Sequence, residues 1–137
     1  MADLTLSGKC LCGTVRYNVT GTPLRFLHCH CERCRRATGT GHASNVIMKA
    51  KNVDWQSGTA SIKRYKLPEA ERFSTTFCTN CGSPLPRETG EIVVVPAGSV
   101  DALPDIQPEG RIFWASRAMW SCPPGDLPHY AEYPTAP

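Results

Sequence analysis

Seven of the eight cysteines lie in three short clusters, and their spacing indicates metal binding. The clusters are Cys10 and Cys12; Cys29, Cys31 and Cys34; and Cys78 and Cys81. A tetrahedral zinc ion takes four ligands, with thiolate sulfurs about 2.3 Å away. Seven thiols divide into a four and a three. The sequence therefore predicts one closed structural zinc and one zinc that keeps a coordination position open for chemistry.

An even number of cysteines would also suit the disulfide framework of a secreted protein. However, residues 1–9 lack the apolar stretch of a signal peptide, and no apolar run approaches the length of a membrane span. Cysteines one or two residues apart suit a shared metal better than a structural bridge. We therefore expect reduced thiols, a cytoplasmic location and no membrane partner. The eighth cysteine, Cys122, is expected to be a small buried hydrophobe.

The four-ligand set is predicted to combine the first and third clusters. On an extended chain Cys10 and Cys12 project from the same face, and Cys78 and Cys81 have the spacing of a zinc knuckle. Gly82 permits the left-handed turn that such a knuckle needs. Spacing alone leaves a second partition open, in which Cys29 and Cys31 close the structural site.

The middle cluster supplies three thiols from one local segment, a strand end followed by a helical turn. Its members are Cys29, Cys31 and Cys34. The nearest candidates for a fourth ligand are His28, His30 and His42. His30 alternates to the side opposite the neighbouring cysteines, so it is a poor candidate.

Composition describes a soluble globular protein of one domain, residues 1–137, with a core at about 8–120 and a proline-rich tail at 123–137. The chain is 41% hydrophobic and 20% charged. Its net charge of +3 is mild and no long basic run is present, so no nucleic-acid partner is expected. The densest basic cluster, Arg33, Arg35 and Arg36, is expected to offset the net negative charge of three thiolates around zinc.

Short alternating apolar segments predict a mainly β fold with one or two short helices at most. Strands are predicted at residues 14–19, 24–29, 44–49, 60–66, 73–77 and 111–115. A hairpin is predicted between residues 85 and 95, with Gly90 in its turn. The one good helical segment, residues 32–38, ends at Gly39.

Five segments together resemble the glutathione-dependent formaldehyde-activating enzyme family, also called the centromere protein V family. They are GKCLCGTVRY at 8–17, CHCERCRRATG at 29–39, FCTNCGSPL at 77–85, AGSVD at 97–101, and RIFWASR at 111–117 followed by Trp120. The resemblance implies a zinc-stabilised, Mss4-like β-tent fold. It also implies a structural zinc on Cys10, Cys12, Cys78 and Cys81 and a catalytic zinc on Cys29, Cys31 and Cys34, as the count suggests. Two positions depart from the family: Arg111 stands where histidine is frequent, and Val100 replaces leucine.

The expected activity is that of a zinc-dependent carbon–sulfur lyase acting on glutathione, or a related thiol, and a small aldehyde. Such an enzyme needs a proton carrier, for which the candidates are Glu32, His42, Tyr65 and Glu88. It also needs cations for the carboxylates of glutathione, for which the candidates are Arg35, Arg36, Arg64 and Arg117. The alternative is a non-catalytic, zinc-stabilised binding module, which a fourth protein ligand at the second zinc would favour.

Overall fold

A computed structural model describes residues 2–134, which form ten strands and one α-helix. The elements are β1 (Leu4–Lys9), β2 (Arg16–Cys29), α1 (Glu32–Thr38), β3 (Ala43–Lys49), β4 (Asp54–Ser57), β5 (Ile62–Lys66), β6 (Ser74–Cys78), β7 (Pro84–Leu85), β8 (Arg87–Thr89), β9 (Ile92–Pro96) and β10 (Gly110–Ile112). Four 3₁₀ turns lie at Thr59–Ser61, Ala97–Ser99, Trp114–Ser116 and Met119–Ser121. The prediction of a mainly β fold is confirmed.

The larger sheet is built around β2, in the strand order β1-β2-β3-β9-β8, with β4 and β10 also paired to β2. The sequence predicted two strands, at 14–19 and 24–29, where the structure has a single strand of 14 residues. The glycine and proline between the two segments do not end it. Pro23 lacks an N–H for the ladder, and the register with β3 shifts between Pro23 and Arg25, so the strand absorbs the proline as an irregularity.

The smaller sheet has the order β5-β6-β7, and the chain changes sheets after β7. Leu85 pairs with Thr76 of β6, whereas Arg87 pairs with Val94 of β9. The predicted hairpin is therefore shorter than expected, because its first arm begins at Arg87. Its turn was predicted correctly, since Gly90 has the left-handed φ of 63°.

The core lies against the inner face of the larger sheet. Val15, Tyr17 and Val19 alternate along the strand predicted at 14–19, and these side chains are at most 1% exposed. They belong to one buried cluster with residues of β1, β2, β3 and β9: Leu6, Phe26, Val46, Met48, Val93 and Val95. Cys10 and Cys78 belong to the same buried cluster, so one cysteine of the first cluster and one of the third pack within the core.

The helix α1 has the predicted bounds and the predicted end. Gly39 adopts φ 69° and its N–H bonds to the carbonyl of Arg35. The predicted strand at 111–115 is shorter: β10 ends at Ile112, and Phe113 turns the chain with a left-handed φ of 53°. β10 pairs in parallel with the end of β2. The predicted strands did not include β1 and β4.

Candidate metal centres and cleft

The sulfurs of Cys10, Cys12, Cys78 and Cys81 all lie within 4.8 Å of one another. The Cys10 and Cys12 sulfurs are 3.6 Å apart, and those of Cys12 and Cys78 are 3.9 Å apart. Cys10 directly follows β1 of the larger sheet, and Cys78 is the last residue of β6 of the smaller one. Of the two partitions that spacing allowed, the structure has the one that joins the two sheets.

Two glycine turns shape this four-thiol cluster. Cys10 and Cys12 were expected on extended chain, but they lie in a tight turn. The Gly13 N–H closes this turn by donating to the Cys10 carbonyl at 3.0 Å. In the knuckle, Gly82 has the predicted left-handed conformation, with φ 77°, and donates to the Cys78 carbonyl at 2.7 Å. Both turns bring their sulfurs to the same point.

Polar neighbours favour the thiolate form of two of these four cysteines, Cys12 and Cys81. The hydroxyl of Thr14 and the amide nitrogen of Asn80 each lie 3.2 Å from the Cys12 sulfur, and these hydrogen bonds lower the pKa of Cys12 to about 5. The Ser83 hydroxyl, 3.2 Å from the Cys81 sulfur, lowers the pKa of Cys81 to about 7. Because thiolates are the metal ligands, this environment suits zinc.

The sulfurs of Cys29, Cys31 and Cys34 form the second group within 4.8 Å of one another. Cys29 ends β2, Cys31 caps α1 by accepting the Cys34 N–H at 3.3 Å, and Cys34 lies in the first turn of the helix. Among residues 2–134, no histidine nitrogen or carboxylate oxygen belongs to this group. Three thiols thus meet without a fourth ligand from the described chain.

Burial governs the ionisation of this three-thiol cluster. It raises the pKa of Cys29 and of Cys34, whose side chains are 7% and 6% exposed. Burial also opposes ionisation of Cys31, but hydrogen bonds, among them that from the Cys34 backbone, outweigh it and leave the Cys31 pKa below its ordinary value. Cys31 is therefore the thiol of this group that ionises most readily.

The three nearby histidines are held by groups other than the cysteines. His30 is fully buried, and its Nε2 lies 3.0 Å from Nη1 of Arg111. Because a guanidinium only donates, this Nε2 is an acceptor. The Ser44 hydroxyl lies 2.9 Å from His28 Nδ1 and 3.2 Å from His42 Nδ1. Burial lowers the pKa of all three imidazoles, so they are neutral at pH 7.

A cleft of about 660 Å³ opens between the two sheets. Its wall includes Cys34 of the three-thiol cluster and Cys10 of the four-thiol cluster, with residues of β3, β6 and β9 between them. This volume lies in the range of small-molecule sites.

Most of the proton-carrier candidates named from the sequence do not line the cleft. Of the four proton-carrier candidates, only His42 lines it among the described residues. Glu32 pairs with Arg36 at 2.9 Å, Glu88 accepts the Val53 N–H at 2.7 Å, and Tyr65 is exposed.

The basic residues on the cleft wall are different from those expected. Among the described residues, Lys9 and Arg87 line the cleft, whereas the four arginines proposed for glutathione do not: Arg35, Arg36, Arg64 and Arg117. No sequence signal indicated Arg87, because the pairing of β8 with β9 is what brings this residue to the cleft. Cys122 also differs from the prediction, since it is partly exposed rather than buried, and it belongs to neither thiol cluster.

Two sheets joined at a four-thiol cluster, with a three-thiol cluster beside a cleft, define the mainly β, Mss4-like class. The sequence model described as glutathione-dependent formaldehyde-activating enzyme matches residues 5–116, and the chain belongs to that family.

Structural similarity supports the fold alone. A crystal structure of a Rhodobacter sphaeroides protein, a structural genomics target, has 21% sequence identity and a TM-score of 0.56. The match covers 77% of this chain and 99% of that one. No curated protein matches the sequence significantly. Within residues 2–134, no helix has the length and apolar character that a membrane span requires.

Proposed function

We propose that the protein is a zinc-dependent enzyme of the carbon–sulfur lyase type, which adds glutathione or a related thiol to formaldehyde or another small aldehyde. The observation that carries the proposal is the three-thiol cluster of Cys29, Cys31 and Cys34, which lacks a fourth ligand from the described chain and borders a cleft. Family membership supports the substrate class.

The donor sets fit zinc at both clusters. Four thiols suit a closed structural site, and three suit a catalytic site with one position open. Zinc bound by Cys29, Cys31 and Cys34 would supply an open position at which an incoming thiol loses its proton. The chain itself would then orient the thiol and the aldehyde in the cleft and exclude water from them.

The proposed reaction needs no oxidant or reductant. The thiol sulfur attacks the carbonyl carbon, a carbon–sulfur bond forms, and the π electron pair of the carbonyl moves to its oxygen. The thiol proton ends on that oxygen. His42 lines the cleft and is neutral at pH 7, because burial and then Arg111 lower its pKa. It can therefore take the proton from the thiol and return it to the oxygen.

The proposal is tested with Cys31→Ser and the matched control Cys122→Ser. Serine is a good helix cap, so α1 keeps an acceptor at its N-terminus while the metal loses a ligand. We expect Cys31→Ser to form S-hydroxymethylglutathione only at the spontaneous rate. Cys122→Ser should behave like wild type, because Cys122 lies outside both clusters.

Binding of thiols to the cobalt-substituted protein tests whether the thiol reaches the metal before the carbon–sulfur bond forms. Glutathione should change the cobalt spectrum of wild type and leave that of Cys31→Ser unchanged. If the wild-type protein forms S-hydroxymethylglutathione no faster than buffer does, and no thiol changes its cobalt spectrum, the protein is instead a non-catalytic binding module.

A further inference from the structure

Arg87 is a partly buried cation that lines the same cleft as Cys34. Its Nη1 donates to the carbonyl of Ser74 at 3.0 Å, and its guanidinium carbon lies 5.6 Å from the centre of the Phe73 ring. Phe73 in turn packs against the buried cluster of Cys29 and Cys34. The guanidinium is therefore held beside the three-thiol cluster by a carbonyl and a ring, neither of which carries charge.

No carboxylate neutralises this cation within the described part of the chain. The ion pairs found there are Arg25 with Glu109, Arg36 with Glu32, and His129 with Asp126. A guanidinium has five N–H donors in a planar fork that matches a carboxylate with two parallel hydrogen bonds. Within residues 2–134 the Arg87 side chain makes one hydrogen bond, so donors remain for a ligand in the cleft.

Arg64 provides an internal comparison. It is exposed, donates to the Glu88 carbonyl at 2.9 Å, and does not line the cleft. It is nevertheless near Arg87, whose pKa is lowered by burial and, to a smaller extent, by the charge of Arg64. Both arginines add positive charge to the same region. Of these two arginines, Arg87 is the one that lines the cleft and can contact a molecule there.

We propose that Arg87 determines the thiol specificity of this cleft by binding a carboxylate of the incoming thiol, so that the preferred substrates are anionic thiols. The inference rests on the proposed function. Its rival is that Arg87 only offsets the negative charge of three thiolates on zinc. An offset of charge would change metal retention and affect all thiols alike, whereas recognition changes the affinity for carboxylated thiols alone.

The test compares glutathione with its diethyl ester, which has the same thiol and no free carboxylate. Binding of each is measured from the spectrum of the cobalt-substituted protein. Wild type should bind glutathione about tenfold more tightly than the ester, as a hydrogen-bonded charge pair of ordinary strength implies. Arg87→Gln should lose most of this preference by weakening glutathione binding, and its affinity for the ester should be unchanged. Arg64→Gln should retain the preference.

Each other outcome overturns the inference. Equal weakening of both thiols, or loss of cobalt from Arg87→Gln, would make Arg87 a counter-ion of the metal site. An equal effect of Arg64→Gln would make the preference a general effect of charge. If Arg87→Gln does not fold, the wild-type protein decides the question. Equal affinity of wild type for glutathione and its diethyl ester would contradict the inference without contradicting the proposed function. If neither thiol changes the wild-type spectrum, both fail together.

Discussion

At the scale of single residues, Gly82 shows how one backbone angle serves the four-thiol cluster. Its φ of 77° closes the knuckle of Cys78 and Cys81, yet a Cβ there would meet no atom within 4 Å. Gly82→Ala should therefore cost about 1–2 kcal/mol, the penalty of a left-handed backbone for an L-residue, with no added clash. The measurement is urea unfolding of the metal-loaded protein.

Gly98→Ala is the matched control for this prediction. A Cβ at Gly98 also meets nothing within 4 Å, but Gly98 does not have a left-handed φ. Its free energy of unfolding should stay close to that of wild type. Equal stability of the two alanine variants would show that the angle at Gly82 carries no strain.

At the scale of elements, β10 is held against β2 by a short parallel pairing and by the bond between Arg111 and His30. Arg111→Ala would leave Nε2 of a fully buried imidazole without its donor. We expect a loss of about 1–3 kcal/mol in the free energy of unfolding. Urea titrations followed by tryptophan fluorescence would measure it, since Trp114 packs edge-on against His30 at 5.2 Å.

Arg25→Ala tests whether that loss is specific to the buried partner. Arg25 pairs with Glu109 at 3.4 Å, just before β10, but both side chains are substantially exposed. Such surface pairs contribute between about 0 and 1 kcal/mol. If Arg25→Ala destabilises the protein as much as Arg111→Ala does, the hydrogen bond from Arg111 to His30 contributes no more to stability than an exposed ion pair.

At the scale of the whole molecule, the four-thiol cluster is where the two sheets meet, so a metal there would link them. Its binding energy would then be folding energy. Cys78→Ser should uncouple the smaller sheet and raise amide hydrogen exchange across β5, β6 and β7. Cys31→Ser should leave these amides protected, because the three-thiol cluster draws all its ligands from one segment. Unchanged protection and melting temperature in Cys78→Ser would contradict a structural role.

Much of the site follows from local spacing, which the sequence carries by itself. Cysteines two or three positions apart lie near one another whatever the rest of the chain does, so the three clusters were predictable, and their number predicted one set of four thiols and one of three. The helix from Glu32 to Thr38, with its glycine end, is equally local and was predicted correctly. The extent of a single domain, the absence of a nucleic-acid partner and the cytoplasmic location stay predictions.

The tertiary structure alone decided what depends on distance across the chain. Spacing allowed two ways of closing the four-ligand site. β1 pairs with β2, and the end of β6 lies beside the turn after β1, so Cys78 and Cys81 complete the site with Cys10 and Cys12. The change of sheet after Leu85 placed Arg87 at the cleft, and the arginines chosen from the sequence lie elsewhere. The physical reason is that chain spacing fixes only the positions of near neighbours. Which distant side chains share a cleft is determined by how the sheets pair and pack.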